Sequence, residues 1–178
     1  CASSARAYAG AKFAKLAANV VDATDRPVFP AYLIRKVGTQ RIGVIGVVTR
    51  TTPTIVTPAG VAGLRFLDEA QTINRYVTEL KGLGVRAIVV LVHEGGQVDS
   101  TWNNSACTNA RGEVFNIVDK LDPEVDLVFS GHTHQGYNCV RNGKRVMQAF
   151  SFGRGISQVT GTLDNAAVAA IAIEVLSV

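Results

Sequence analysis

The stretch DLVFSGHTH, residues 126–134, is a short apolar run that breaks at Gly131 and ends in two histidines, His132 and His134. The run is typical of a buried strand, and the glycine marks the point where the strand stops. In open α/β sheets, ligands usually bind at the carboxyl ends of the strands. The stretch therefore predicts an α/β fold with a ligand site at that edge.

The same pattern occurs upstream, where the apolar run at 87–92 ends in His93, Glu94 and two glycines. The protein has three histidines, and all of them follow these two strands. Three neutral imidazoles at one sheet edge suit a transition metal. The alternative is that His132 and His134 form a turn pair that bonds the backbone, and their spacing indicates neither a particular metal nor a reaction.

The composition excludes some other classes of protein. The 178 residues can bury one core, and 47% hydrophobic residues with 17 glycines fit an α/β domain with tight turns. The net charge of +4 comes from scattered lysines and arginines, and aromatic residues are sparse at 7%. We therefore expect no nucleic-acid polymer as a partner. No apolar stretch is long enough to predict a membrane span.

Periodicity and turn residues predict the order of the elements. Residues 66–80 and 112–121 read as helices, and Asp68 with Gln71 forms a capping-box signature for the first. Strands are expected at the end of 12–21 and at 29–37, 41–48, 86–92, 125–129, 137–140, 145–149, 155–163 and 168–175. Because the last four are joined by short turns, they predict a second, antiparallel sheet, and the whole an α-β-β-α sandwich of four layers.

Four segments of the chain carry a family resemblance. GHTH at 131–134, VHEG at 92–95, LAANV at 16–20 and RIGVIGVVT at 41–49 resemble motifs of the calcineurin-like metallophosphoesterases. The match is closest to their secreted bacterial branch of 5′-nucleotidases, UDP-sugar hydrolases and 2′,3′-cyclic phosphodiesterases. It covers nearly the whole chain in the right order, and the family's fold is the four-layer sandwich of two mixed sheets.

The resemblance implies a dinuclear metal centre that hydrolyses nucleotide phosphoesters, with a metal-bound hydroxide as the nucleophile. His93 and His132 would bind one divalent ion and His134 the other, the ions being zinc, manganese, iron, cobalt or calcium. Alternatives are a 2′,3′-cyclic nucleotide phosphodiesterase, a sulfur-compound hydrolase, or a non-catalytic module that binds a metal or another ligand. The resemblance also implies a periplasmic, cell-surface or extracellular location.

The resemblance also shows which family elements the 178 residues lack. The Asp-x-His, Gly-Asp and Gly-Asn-His-Glu motifs, and with them the family's catalytic histidine, do not occur in the chain. We therefore interpret residues 1–178 as one partial metallophosphoesterase domain, truncated at its N-terminal side. Its expected partners are the missing N-terminal half, a C-terminal nucleotide-binding domain and a phosphoester substrate. Alone, the fragment is expected to be inactive.

Four further residues are candidates for supporting roles around the histidines. Glu94 and Asp99 follow His93 closely, so either carboxylate is a candidate to orient an imidazole. Cys107 and Cys139 lie in segments that leave the same sheet edge, which predicts a disulfide in an oxidising compartment. Cys1 would then remain, with a possible partner upstream, and the alternative is three unrelated thiols.

Overall fold

A computed structural model describes residues 10–164 and 167–177. The helices are α1 (Thr52–Ile55), α2 (Glu69–Gly82) and α3 (Glu113–Val118), with a 3₁₀ turn at Pro58–Val61. The strands are β1 (Val20–Val21), β2 (Tyr32–Val37), β3 (Gln40–Val48), β4 (Arg65–Phe66), β5 (Ala87–His93), β6 (Leu127–Ser130), β7 (Gly136–Arg141), β8 (Lys144–Ala149), β9 (Gly155–Asp164) and β10 (Ala167–Ser177). The predictions for residues 1–9, including Cys1, lie outside the described residues.

Six strands form the main sheet, in the order β2-β3-β5-β6-β8-β7. The four inner strands are parallel, and the outer strands β2 and β7 pair antiparallel to their neighbours. Helix α2 lies between β3 and β5 in the chain, and α3 lies between β5 and β6. Because β3, β5 and β6 run in parallel, their carboxyl ends all meet at one edge, which confirms the predicted α/β class and the edge that carries the histidines.

One face of this sheet packs against the helices. Ile45, Ile88, Val90 and Val128 point into a core that the apolar residues of α2 and α3 complete. Strand residues alternate between faces, so the residues between them face the other way. The buried face accounts for the long apolar runs in the sequence, since inner parallel strands need little polar surface.

Helix α2 begins at Glu69, three residues later than predicted. Asp68 is its N-cap, and the Asp68 carboxylate accepts a hydrogen bond of 2.9 Å from the Gln71 backbone N–H. Phe66 lies in β4 instead, where its register partner is Val20 of β1. The periodicity of 66–80 therefore predicted the interior of the helix correctly, but Phe66 belongs to a strand that pairs with β1. The strand expected at the end of 12–21 is limited to Val20–Val21, the two residues that pair with β4.

The second sheet differs from the prediction of four strands in series. Strand β8 pairs in parallel with β6, with Val128 opposite Val146, and β7 pairs with β8 at the sheet edge. Both strands therefore belong to the main sheet, and only β9 and β10 pair with each other as a separate two-stranded sheet. Asn142 and Gly143, both at positive φ, form the turn of the hairpin that the sequence predicted. This local signal does not determine which sheet the hairpin joins.

The face opposite the helices is only partly covered in the described part of the chain, by Leu16, which lies over Gly46. Leu33, Val44, Leu91 and Phe129 line a groove of about 620 Å³ there, and Leu91 is 41% exposed. His93 lies at the carboxyl end of the same groove. None of the helices in residues 10–164 and 167–177 has the length and apolar character needed to cross a membrane.

Candidate metal centre

His93 and His132 are brought together at the carboxyl edge of the sheet. His93 is the last residue of β5, and His132 lies in the loop that follows β6. Their ring centroids are 5.2 Å apart, and the planes meet at 74°. The parallel pairing of β5 with β6 causes this contact, because it ends both strands side by side. The two imidazoles are thus neighbours although 39 residues separate them in the chain.

His134 takes a different position, with its ring 5.4 Å from that of Phe152. Across residues 10–164 and 167–177, no three side chains of histidine, cysteine, aspartate or glutamate are grouped closely enough to hold one metal ion. The three imidazoles therefore form a pair and a separate third ligand candidate. This arrangement cannot enclose an ion by itself, but it suits a site whose remaining ligands come from elsewhere.

The loop that carries His132 and His134 has an unusual backbone. Both residues are in the left-handed region, with φ of +70° and +57°. This conformation costs an ordinary residue roughly 1–2 kcal/mol. It persists only where surrounding contacts impose it, and such residues are concentrated at functional sites. Neither residue is the glycine or asparagine that usually marks such positions, so this backbone conformation could not be predicted from the local sequence.

The protonation state of His93 favours metal binding. Partial burial lowers the pKa of His93, and the neighbouring His132 lowers that pKa further, against the opposing effect of Glu94. The imidazole is therefore neutral at pH 7, with a nitrogen lone pair available. Neutral imidazoles are common ligands of zinc and other transition metals. The imidazole nitrogens of this chain are therefore suitable ligands for part of a site that binds such an ion.

Glu94 and Asp99 have partners other than the histidines. Glu94 is buried, and its carboxylate accepts a hydrogen bond of 3.0 Å from the Gly95 backbone N–H. Asp99 is exposed, and hydrogen bonds from Arg111 (2.8 Å) and Asn109 (3.1 Å) lower its pKa. In the described part of the chain no hydrogen bond joins either carboxylate to an imidazole, so the orienting role proposed for them remains a prediction.

The structure confirms the disulfide between Cys107 and Cys139, whose Cα atoms are 5.2 Å apart. The bond ties the loop after β5 to strand β7, close to the candidate site. Stable disulfides are typical of oxidising compartments.

One part of the site was not predicted from the sequence, a polar cluster behind the histidine loop. It contains Ser130, Thr133, Tyr137 and Gln148, which are joined by hydrogen bonds. Gln148 follows Val146 and Met147 in strand β8, and the structure shows that it is only 2% exposed. A buried amide in such a place must have partners, but the sequence could not show that they belong to the histidine loop.

No family model matches the chain. Among curated proteins it is 37% identical over 158 residues to the endonuclease YhcR of Bacillus subtilis, covering 88% of the chain and 12% of YhcR. It is 38% identical to the cell wall protein Lmo0130 of Listeria monocytogenes, covering 84% and 20%. It is 31% identical to the 2′,3′-cyclic-nucleotide 2′-phosphodiesterase/3′-nucleotidase of Salmonella typhimurium, covering 72% and 20%. The chain thus spans about a fifth or less of each of these relatives.

Solved structures show the same fold. The 5′-nucleotidase precursor of Thermus thermophilus matches with a TM-score of 0.72 and 26% identity, over 93% of this chain and 34% of that one. The calcineurin-like phosphoesterase YfkN of Bacillus subtilis matches with a TM-score of 0.72 and 20% identity, over 94% and 57%. The sulfate thiohydrolase SoxB of Thermus thermophilus has a TM-score of 0.76 at 22% identity, over 93% and 28%.

The fold and these relatives define the family of the chain. The chain belongs to the calcineurin-like phosphoesterase family, in the group that includes the 5′-nucleotidases and 2′,3′-cyclic phosphodiesterases. The mixed α/β fold predicted from the sequence is that of these enzymes.

Proposed function

We propose that the chain is part of a metal-dependent hydrolase of nucleotide phosphoesters, and that it supplies one side of a dinuclear site. The observation that carries this proposal is the ring contact of His93 with His132, with His134 set apart at the same edge. A pair and a single imidazole suit two ions better than one. The remaining ligands would come from sequence upstream, so the 178 residues alone would be inactive.

In this proposal each residue of the chain has a defined task. His93 and His132 would hold one ion through ring nitrogens, and His134 would hold the other. Two such ions, when bound, acidify a water molecule and neutralise charge on a phosphoryl group. The left-handed loop fixes the direction of His132 and His134, and partial burial keeps His93 neutral. The open groove beside His93 leaves room for the upstream half of the site.

A second candidate substrate is a nucleic-acid strand. The relative at 37% identity carries the name of an endonuclease, and cleavage of a phosphodiester needs the same metal chemistry as cleavage of a nucleotide. The absence of basic runs argued against a nucleic-acid polymer. Basic runs serve binding along a duplex, and a site that takes one strand end has less need of them. A sulfur compound remains a third possibility, supported only by the fold of SoxB.

We further propose an extracellular, periplasmic or cell-surface location. A disulfide such as Cys107–Cys139 is typical of an oxidising compartment, and one relative is a cell wall protein.

The test compares the 178-residue chain with a version extended upstream. Metal content is measured by mass spectrometry, and hydrolysis is measured with a nucleoside 5′-phosphate, a 2′,3′-cyclic nucleotide and a single-stranded oligonucleotide. We expect the extended protein to bind about two ions and to cleave at least one of these substrates, and the shorter chain to do neither. The preferred substrate distinguishes the nucleotidase from the nuclease.

A histidine variant and a matched control make this test specific. His132→Ala should lower the metal content and abolish hydrolysis in the extended protein. Gln97→Ala, at an exposed residue four positions after His93, should change neither. If the extended protein binds no metal and His132→Ala has no effect, the histidines are structural and the proposal is wrong.

A further inference from the structure

Gln148 lies at the carboxyl end of β8, directly behind the loop that carries His132 and His134. It is 2% exposed, and its neighbours in the strand, Val146 and Met147, are fully buried. A carboxamide in such surroundings is costly unless both of its ends are hydrogen-bonded. The partners of Gln148 therefore explain why an amide occupies this place instead of an apolar side chain.

All the partners of the Gln148 carboxamide lie in or beside the histidine loop. In the orientation that satisfies both ends, Oε1 accepts hydrogen bonds from the backbone N–H of His134 (2.8 Å) and of Gln135 (2.7 Å). Nε2 donates to the Gly131 carbonyl (2.9 Å) and lies 3.1 Å from Thr133 Oγ1. One side chain thus contacts the backbone on both sides of His132.

Neighbouring side chains complete the polar cluster. Nε2 of Gln148 also lies 3.2 Å from the Tyr137 hydroxyl, which is 2.6 Å from Ser130 Oγ, and that oxygen donates to the Met147 carbonyl (3.0 Å). Thr133 Oγ1 donates to the Gly96 carbonyl (2.9 Å), in the loop that follows His93. The Gln148 network therefore connects the loops of all three histidines.

We propose that Gln148 is a positioning residue that holds His132 and His134 in the left-handed conformation and so directs their imidazoles toward metal. The inference deepens the proposed function and rests on it for the role of the metal. The hydrogen bonds offset the backbone strain of this loop, and an apolar residue at position 148 would leave the His134 and Gln135 N–H groups without their acceptor. Partners that orient metal ligands in this way typically affect metal affinity 10- to 100-fold.

The first test measures the loop and requires no metal. Gln148→Met keeps the length of the side chain and removes its hydrogen bonds, so the His134 and Gln135 amides should exchange with solvent about tenfold faster or more. Val146→Ala is the matched control, because it weakens the same strand in the core without touching the loop. It should leave the exchange of these two amides unchanged relative to the amides of β5.

The second test measures zinc affinity in the extended protein. Gln148→Met should weaken binding 10- to 100-fold, while Val146→Ala leaves it within about twofold. The protein has three histidines, so nitrogen-15 spectra of the imidazoles show directly which rings move. Gln148→Glu keeps an oxygen that can accept from both the His134 and Gln135 N–H groups but loses the donor, and should give an intermediate result. It also serves as the test if Gln148→Met does not fold.

The outcomes separate this inference from the proposed function. Faster exchange at His134 and Gln135 without any zinc binding in the parent protein would support the loop contacts and overturn the role toward metal. Unchanged exchange and unchanged imidazole spectra in both Gln148 variants would overturn the inference, even if the parent protein binds metal and hydrolyses nucleotides.

Discussion

At the scale of the residue, Gly95 joins the two loops that carry the histidines. A Cβ atom at this position would collide with the Gly131 carbonyl oxygen and with Thr133 Oγ1. The Gly131 backbone N–H donates to the Glu94 carbonyl (3.2 Å), which fixes the close approach. Glycine is thus required here for lack of space, and the glycines after His93 are part of the site and not only of a turn.

Gly95→Ala should therefore separate the two loops. We expect a loss of about 1–3 kcal/mol in the free energy of unfolding, measured by urea denaturation, together with altered imidazole signals for His93 and His132. Gly60→Ala is the matched control, because a Cβ at Gly60 meets no atom within 4 Å. Equal stability of the two variants would show that the two loops can accommodate a Cβ atom at position 95, which would contradict the prediction.

Tyr137 gives a prediction for stability at high pH. Burial raises the pKa of Tyr137 from 10.0 to about 12, because the phenolate is disfavoured inside the protein. A raised pKa means that Tyr137 contributes fully below about pH 10, and that this contribution is lost as pH rises toward 12. We expect a loss on the order of 2 kcal/mol over this range.

The measurement is the free energy of unfolding of the parent protein and of Tyr137→Phe between pH 8 and pH 12. Phenylalanine keeps the ring and has no proton to lose, so the stability difference between the two proteins should shrink above pH 10. A difference that stays constant across this range would contradict the raised pKa.

At the scale of the element, the disulfide Cys107–Cys139 fixes a long loop to the sheet. The loop after β5 has little regular structure before α3, and the bond ties it to β7 across 32 positions of the chain. Strand β7 in turn is held by β8, the strand that carries Gln148. The disulfide therefore stabilises the side of the site that includes the histidine loop.

Reduction of this disulfide should cost about 3–4 kcal/mol, the value for a loop of this length. We expect a lower melting temperature with dithiothreitol, and the same decrease in Cys107→Ala without reductant. Cys1→Ser is the control, since removal of a cysteine outside this bond should leave the melting temperature and its response to dithiothreitol unchanged. A Cys107→Ala protein that melts at the parent temperature would show that the bond adds no stability.

At the scale of the whole molecule, the main sheet has one covered face and one partly open face. The helices cover Ile45, Ile88 and Val90, while Leu91 on the other face remains 41% exposed. An apolar sheet face of this kind promotes association when nothing covers it. The chain also covers no more than 34% of the T. thermophilus 5′-nucleotidase precursor that shares its fold. We therefore expect the open face to control how the 178-residue chain behaves in solution.

The isolated chain should self-associate through this face, and Leu91→Lys should weaken the association about tenfold, because burial of a leucine contributes roughly 1.5–3 kcal/mol. Sedimentation velocity over a range of concentrations measures the effect. Leu83→Lys is the matched control, since Leu83 is 47% exposed at the end of α2, on the helix side of the sheet. If both variants associate like the parent, another surface is responsible.

The local sequence determined much of this protein. The apolar runs predicted the inner strands, the Asp68 cap and periodicity predicted α2, and Asn142-Gly143 predicted its hairpin, because these features depend on neighbours in the chain. The positions of His93, His132 and His134 after strands also placed them at one edge, since parallel strands share their carboxyl ends.

The tertiary structure alone decided which strands pair and which groups meet. Strands β7 and β8 belong to the main sheet because β8 pairs with the edge of β6. No local sequence pattern predicts this pairing. His132 and His134 have left-handed φ, and the backbone around them makes hydrogen bonds with Gln148, 14 residues beyond His134 in the chain and on another strand. Backbone strain and buried polar contacts are set by distant partners, so the sequence could name the imidazoles but not the network that positions them.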